Sequence, residues 1–204
     1  EVELWIGTFN TNRLDYVEKI LDDATLQANV KGVGTQWECR NNLPQMRERY
    51  PHLRFMCSES ECGNGSMDWA AGEHTFFLLS DNLGNGVDEY YNWNFILTDH
   101  GESPWGWRQN ALIQVDSHTR CLRYTAEYYA YKHFSHFVEP GTQMVAYAGR
   151  EFSRTPIVVF RNAAGQHIVT AGNFTAEECV VNVKIGRRYL NMVLPAHSFS
   201  TYVM

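Results

Sequence analysis

The chain has 204 residues, of which 44% are hydrophobic and 20% are charged, a composition typical of a folded globular protein. Its net charge is −6 and its lysines and arginines are not clustered, which argues against nucleic acid and anionic membranes as partners. Apolar runs such as 76–79 are far too short to cross a bilayer. The five cysteines lack CxxC spacing, which argues against a disulfide framework and a structural zinc site.

Strand and helix patterns alternate along the first 140 residues. Strand-like runs lie at 2–8, 31–37, 53–58 and 87–97. Helix-like stretches lie at 12–23, from 43 onward, at 66–81 and at 125–138. Repeated strand-then-helix units predict parallel strands with helical crossovers. The pattern fits four consecutive units of a (β/α)₈ barrel, or part of an open doubly wound sheet.

The pattern changes after Pro140, where short β-rich runs replace the helices. The runs lie at 143–148, 156–161, 166–173, 178–185, 188–194 and 198–203. Turn-forming residues separate them, and no helix-length periodicity remains. We therefore predict two parts, a partial barrel at 1–140 and antiparallel sandwich strands at 141–204.

Polar and aromatic residues follow three of the strand-like runs, where a barrel gathers its active site. They are Gln36 and Trp37 after the second run, Glu59 after the third, and Asn92, Trp93 and Asn94 near the end of the fourth. A carboxylate at this position can attack a bound substrate, and indole faces suit the C–H surface of a sugar ring. Taken singly, such a glutamate is usually only solvated and such tryptophans usually belong to the core.

Together these motifs resemble the family 30 glycoside hydrolases, the glucosylceramidases and their bacterial relatives. The resemblance rests on the run 55–65 (FMCSESECGNG), with Gln36-Trp37 before it and Tyr91-Asn92-Trp93-Asn94 after it. The segment 132–141 (KHFSHFVEPG) is similar to the one with which that family leaves its barrel. The motifs run in the right order through essentially the whole chain.

The resemblance implies that the chain supplies barrel strands five to eight and part of the side sandwich. It implies hydrolysis of a β-linked glycoside, an oligosaccharide or a glycolipid, with retention of configuration and without metal or cofactor. Glu59 matches the family nucleophile, with Glu61 as the rival. Trp37 and Trp93 would wall the sugar subsite, Gln36 and Asn94 would bind hydroxyls, and Asn92 would orient the nucleophile.

Two departures from the family pattern limit these expectations. The family's acid/base lies in an Asn-Glu-Pro motif that this sequence lacks, and Gln36-Trp37-Glu38 stands where glucosylceramidases have His-Trp-Tyr. Because the chain enters a strand directly after Glu1, we expect a fragment whose partner is an absent amino-terminal half-barrel, and which is inactive alone. The alternatives are a non-catalytic carbohydrate-binding remnant and an unrelated α/β protein. The sequence does not determine localisation.

Overall fold

A computed structural model describes residues 2–149 and 154–204. Its first part is a four-stranded parallel sheet in the order β1-β2-β3-β4. The strands are β1 (Leu4–Phe9), β2 (Val30–Gln36), β3 (Arg54–Glu59) and β4 (Glu89–Tyr90). Strands β2, β3 and β4 each pair in parallel with the strand before them in the chain. Such an order is that of a barrel wall, whereas a doubly wound sheet reverses its order in the middle.

Helices connect these strands. They are α1 (Leu14–Leu21) and α2 (Ala24–Asn29) after β1, a 3-10 helix (Trp37–Asn42) and α3 (Leu43–Arg49) after β2, and α4 (Trp69–Gly84) after β3. The short helix α2 was not predicted because none of its residues is buried, so it carries no apolar periodicity. The Asp23 carboxylate starts it by accepting the Thr25 and Leu26 N–H groups.

The core of the parallel sheet lies between β2, β3 and the helices beside them. Val33 and Phe55 of the strands are fully buried against Leu21 of α1 and against Leu43 and Met46 of α3. Each such side chain contributes about 1.5–3 kcal/mol by leaving water. This packing holds the ends of β2 and β3 in fixed positions.

The predicted strand at 87–97 is wrong as one continuous strand. Its first part is β4, and its last part is β5 (Ile96–Thr98), which belongs to a separate small sheet with β6 (Ile113–Val115) and β7 (Leu122–Tyr124). The residues between leave the ladder because their polar groups find other partners: the Asn92 amide donates to the Asn94 carbonyl at 2.7 Å. Periodicity alone does not distinguish such a break from a strand.

Two long helices lie between the barrel strands and the carboxyl-terminal sheets. α4 begins where Asp68 accepts the Ala71 N–H at 2.9 Å and ends before Gly86, whose φ is +81°. The predicted range 66–81 is therefore shifted by about one turn. Helix α5 (Ala126–Ser135) is capped by Thr125 and ends three residues earlier than predicted. None of the helices in the described ranges is long and apolar enough to cross a membrane.

The carboxyl-terminal part contains two antiparallel sheets. One has the order β13-β10-β9-β8 and the other is the hairpin β11-β12. Their bounds are β8 (Gln143–Met144), β9 (Ile157–Arg161), β10 (His167–Asn173), β11 (Cys179–Ile185), β12 (Arg188–Leu194) and β13 (Ser198–Val203). Only the first two residues of the predicted strand 143–148 are a strand.

The four-stranded antiparallel sheet is covered on both faces, because successive side chains of a strand point to opposite sides. Val159 and Val169 contact the β11-β12 hairpin through Met192. Val158 and Ile168 contact the helices α4 and α5. The hairpin and this sheet thus form a sandwich, with the helices as a third layer. The division of the chain at residue 140 stays a prediction.

Candidate active site

The end of β3 is tied to both preceding strands. Glu59, the last residue of β3, pairs with Gln36, the last residue of β2, across a register shift that leaves Ser58 as an extra residue. The Ser58 hydroxyl lies 2.7 Å from the Thr8 hydroxyl of β1 and donates to the Thr35 carbonyl of β2 at 3.3 Å. Such an irregularity redirects the side chain that follows it. Glu59 is that side chain.

Trp37 directly contacts the Glu59 carboxylate. Its indole Nε1 donates to Glu59 Oε1 at 3.2 Å. The Trp37 backbone has a φ of +49°, in the left-handed region that tryptophan rarely adopts. Trp37 remains 38% exposed. Within the described residues, Glu59 Oε2 and the Gln36 amide have no hydrogen-bond partner, so both are available to a ligand.

Gln36, Trp37 and Glu59 line one small cleft, together with Glu61 and Tyr90. The two carboxylates differ in their partners. Glu61 Oε2 lies 2.8 Å from His74 Nε2, and this hydrogen bond lowers the pKa of Glu61. One oxygen of the Glu61 carboxylate thus already has a protein partner.

Cys57 also lines this cleft but is not a competing nucleophile. Burial raises the pKa of its thiol to about 12. The thiolate is the reactive form of cysteine, and at neutral pH almost none is present at such a pKa. Cys57 therefore supplies no nucleophile at this strand end at neutral pH.

Asn92 and Trp93 are joined to the strand end through Ser60. The buried Ser60 hydroxyl donates to Asn92 Oδ1 at 2.9 Å and accepts the Trp93 N–H at 3.0 Å. Asn92 Nδ2 donates to the Asn94 carbonyl, so both the oxygen and the nitrogen of the Asn92 amide are hydrogen-bonded to protein groups. Asn92 therefore positions the residue after Glu59, and its amide does not hydrogen-bond the carboxylate of Glu59.

Gln109 and Asn110 hold the other side of the segment 92–94. Gln109 Oε1 accepts from Trp93 Nε1 at 3.4 Å and from Asn94 Nδ2 at 3.3 Å, and the Asn110 carbonyl accepts from Asn94 Nδ2 at 2.9 Å. These two residues were missed by sequence reasoning, because they follow no strand pattern. Their only signal was a polar pair directly after Trp107-Arg108.

The glycines of the 63–65 turn make room for Asn110. A Cβ on Gly63 would lie 2.4 Å from the Asn110 Cγ, and the Gly63 φ is +68°. The Gly65 N–H donates to Asn110 Oδ1. The turn therefore packs against the segment that carries Gln109, which indicates a structural role for its glycines.

The predicted site residues thus form two groups. Gln36, Trp37 and Glu59 share one cleft. Asn92, Trp93 and Asn94 are held beside it through Ser60 and Gln109, and none of these three residues lines that cleft. The roles predicted for all six residues stay predictions.

Glu127 at the start of α5 is a buried carboxyl group behind the site. It is 6% exposed, and its Oε1 accepts from the Thr75 hydroxyl at 3.0 Å. Burial raises the pKa of Glu127 to about 7, although the hydrogen bond from Thr75 opposes the shift. The folded protein therefore retains this proton at a pH where the unfolded chain has lost it.

This difference predicts a pH-dependent stability. Between pH 4.5, the ordinary value, and about 7, the unfolded chain binds fewer protons, so the free energy of unfolding falls as pH rises. The loss is about 3 kcal/mol in total. Urea unfolding of the native chain and of Glu127→Gln measures it, since glutamine does not ionise and the native chain should lose stability relative to this variant from pH 5 to 8. Glu139→Gln, at an exposed position, serves as the control, and an unchanged difference for Glu127→Gln would contradict the prediction.

Comparisons with known proteins cover most of this chain but only part of each relative. No family model matches. Lysosomal acid glucosylceramidase of Mus musculus is 22% identical over 92% of this chain and 39% of the mouse protein. The structure of SrfJ from Salmonella typhimurium has a TM-score of 0.85 at 21% identity, over 95% of this chain and 45% of SrfJ. A GH30 endoxylanase from Clostridium papyrosolvens has a TM-score of 0.73 at 14% identity, over 98% and 55%.

These structural similarities show which fold the chain has. The chain spans about two fifths of the length of the curated relatives it matches. Its fold is the carboxyl-terminal half of a (β/α)₈ barrel followed by part of an antiparallel sandwich, as the sequence predicted. The resemblance to the glucosylceramidase-like family 30 glycoside hydrolases is therefore confirmed, for the carboxyl-terminal portion of those proteins.

Proposed function

We propose that Glu59 is the nucleophile of a retaining β-glycosidase and that this chain contributes one half of its active site. The observation that carries the proposal is the hydrogen bond from the Trp37 indole to the Glu59 carboxylate, at the ends of two neighbouring parallel strands. Relatives named for glycoside hydrolysis support the same chemistry. Glu59 is preferred to Glu61 because it ends β3, paired with Gln36 at the end of β2, whereas Glu61 lies beyond the strand and is hydrogen-bonded to His74 of α4.

The mechanism needs two carboxyl groups about 5–5.5 Å apart. Glu59 Oε2 attacks the anomeric carbon while the second group, as an acid, protonates the departing glycosidic oxygen, so a glycosyl ester forms on Glu59. Water, deprotonated by that second group, then attacks the same carbon and frees Glu59 with net retention. The Trp37 N–H holds Oε1 and leaves Oε2 for the attack. Neither step uses a metal or an organic cofactor.

In this proposal the general acid comes from polypeptide outside the 204 residues. Asn-Glu-Pro, which carries the acid in the family that the chain resembles, does not occur in this sequence. In the described sheet, β1 and β4 each pair with one neighbour, so each has an edge at which further barrel strands can pair. The chain without such strands is expected to turn over unactivated β-glycosides little or not at all.

The proposed substrate is a β-linked glycoside, and two groups of residues receive its attacked ring. The Trp37 and Trp93 indoles offer exposed faces to the C–H surface of the ring, since they are 38% and 45% exposed. The Gln36 amide binds a hydroxyl. Asn94 supports Trp93 through their common partner Gln109, because its amide nitrogen already has two protein acceptors.

Covalent labelling tests which carboxylate is the nucleophile. The probes are the 2,4-dinitrophenyl 2-deoxy-2-fluoro-β-glucoside and the corresponding xyloside, whose leaving group departs without protonation. The first step therefore does not need the general acid, and the glycosyl ester should accumulate on the chain. Peptide mass spectrometry is expected to find the adduct on Glu59.

The matched variants are Glu59→Gln, Glu61→Gln and Glu38→Gln, the last at an exposed glutamate on the same rim. Only Glu59→Gln should abolish labelling. An adduct on Glu61 would move the role to that residue. A folded chain that acquires no adduct with either probe would refute the proposed function.

A further inference from the structure

Residues 101–109 form a tight hairpin beside the candidate site. Glu102 and Arg108 pair across it as an antiparallel bridge. The Ser103 N–H donates to the Trp107 carbonyl, and the Gly106 N–H donates back to the Ser103 carbonyl, both at 2.9 Å. Gly106 closes the turn with a φ of +84°, a conformation that glycine adopts without strain. The hairpin is therefore a defined structure with a fixed tip.

The tip presents two stacked tryptophans to solvent. The rings of Trp105 and Trp107 lie 5.5 Å apart with an interplanar angle of 15°. Trp105 is 74% exposed and Trp107 is 48% exposed. Two large apolar rings side by side at the surface are typical of a binding site, because exposed apolar area of this kind is unfavourable in water. Within the described residues, neither indole nitrogen has a hydrogen-bond partner.

The base of this hairpin is attached to the proposed sugar subsite. The Gln109 N–H donates to the Gly101 carbonyl at 3.3 Å, and the Gln109 side chain accepts from Trp93 and Asn94. Asn110, the next residue, donates its N–H to the Cys62 carbonyl at 2.7 Å. The stacked pair is thus held at a fixed position relative to Trp93 and to the segment that follows Glu59.

The chemistry around the pair favours a neutral polar ligand with flat apolar faces. Glu102 lies on the hairpin and Asp99 lies just before it, and the Arg108 guanidinium donates to the Asp99 carbonyl at 3.0 Å. A surface of this charge repels anionic lipids and nucleic-acid phosphates. A pyranose ring offers uncharged hydroxyls and a C–H face, and an indole is the matching surface.

We infer that Trp105 and Trp107 form a platform for a second sugar ring of a β-linked oligosaccharide. The inference rests on the proposed function, since it takes the ring beside Trp37 and Trp93 as the one attacked by Glu59. It assigns the substrate class as an oligosaccharide, whose further ring stacks on the hairpin tip. The platform is a specificity site and takes no part in bond cleavage.

Calorimetric titration of the chain with sugars of two lengths tests the inference. The probes are β-1,3-, β-1,4- and β-1,6-linked glucotetraose and β-1,4-linked xylotetraose, with glucose and xylose as single rings. Trp105→Ala with Trp107→Ala is expected to weaken binding of the preferred tetraose at least about ten-fold, and to leave single-ring affinity unchanged. Trp105→Tyr, which keeps an aromatic face, should recover most of the loss.

Tyr189→Ala is the matched control, because that ring is 65% exposed but lies on the β12 hairpin, outside the candidate site. Equal weakening for single rings and tetraoses, unchanged tetraose binding, or no tetraose binding by the unmodified chain would each overturn the inference. So would tryptophan-dependent binding to glucosylceramide-containing phosphatidylcholine vesicles without tetraose binding. The role of Glu59 is tested separately by covalent labelling, so a wrong nucleophile and a wrong sugar platform give different results.

Discussion

Replacing Glu59 by glutamine is expected to lower the kcat for β-glycoside hydrolysis by at least about 10³-fold in the assembled enzyme, meaning this chain together with the polypeptide that supplies the general acid. Glutamine has nearly the shape of glutamate and can still accept the Trp37 N–H, but its amide does not form the glycosyl ester. Because Glu59 is a strand-end side chain outside the core, the free energy of unfolding should stay nearly unchanged. Initial rates with an aryl β-glycoside measure the effect.

A second variant distinguishes a nucleophile from a residue that only supports the site. Glu59→Ala opens space beside the anomeric carbon, so added azide should attack that carbon as the aryl alcohol leaves and give the α-glycosyl azide. Glu61→Gln should retain a far larger share of the rate and give no such product. Near-normal turnover by Glu59→Gln would end the assignment of the nucleophile to this residue.

The largest expected loss of stability comes from Phe76→Ala. Phe76 is fully buried in α4, and its ring stacks on Phe199 of β13 at 4.7 Å and meets Phe134 of α5 at 5.1 Å. Removing a ring from such a position costs about 3–5 kcal/mol, because the surrounding groups only partly fill the cavity. This is a large fraction of a typical domain stability of about 5–15 kcal/mol. The midpoint of urea unfolding should fall accordingly.

Phe95→Ala is the matched control, because that phenylalanine is 63% exposed, and its effect should stay within about 0.5 kcal/mol. Phe76→Leu should lose less than the alanine variant. The ring also occupies space left by Gly172, where an added Cβ would lie 3.0 Å from Phe76 Cε1. A loss below about 1 kcal/mol for Phe76→Ala would show that the helices and the sandwich do not depend on this contact.

The fold was largely predictable because its strongest signals are local. The predicted strands 31–37 and 53–58 differ from β2 and β3 by only one residue at each end. They were predictable because a short apolar run bounded by polar residues indicates a buried parallel strand. The break after Tyr90 was not predictable, because it depends on Ser60 and Gln109, which are distant in sequence. The small sheet β5-β6-β7 has strands of three residues each, too short for any period to show.

The candidate site was predictable only in part. Strand ends identified Glu59, Gln36 and Trp37, since parallel strands bring their carboxyl ends to one edge. His74 and Glu61 are thirteen residues apart in the sequence. Their contact depends on where α4 begins, which the sequence analysis predicted three residues too early. Hydrogen bonds between loops leave no periodic trace.

At Trp37 the backbone conformation favours glycine, whereas the hydrogen bond to Glu59 requires an indole. A left-handed conformation costs a residue with a Cβ about 1 kcal/mol, which glycine avoids. Glycine at this position would remove the backbone strain, but it would also remove the indole N–H that donates to Glu59 Oε1. Selection for thermal resistance alone would favour glycine here, and selection for a held carboxylate would favour the indole. Under the proposed function, the cost of this backbone conformation is offset by the alignment of the Glu59 carboxylate.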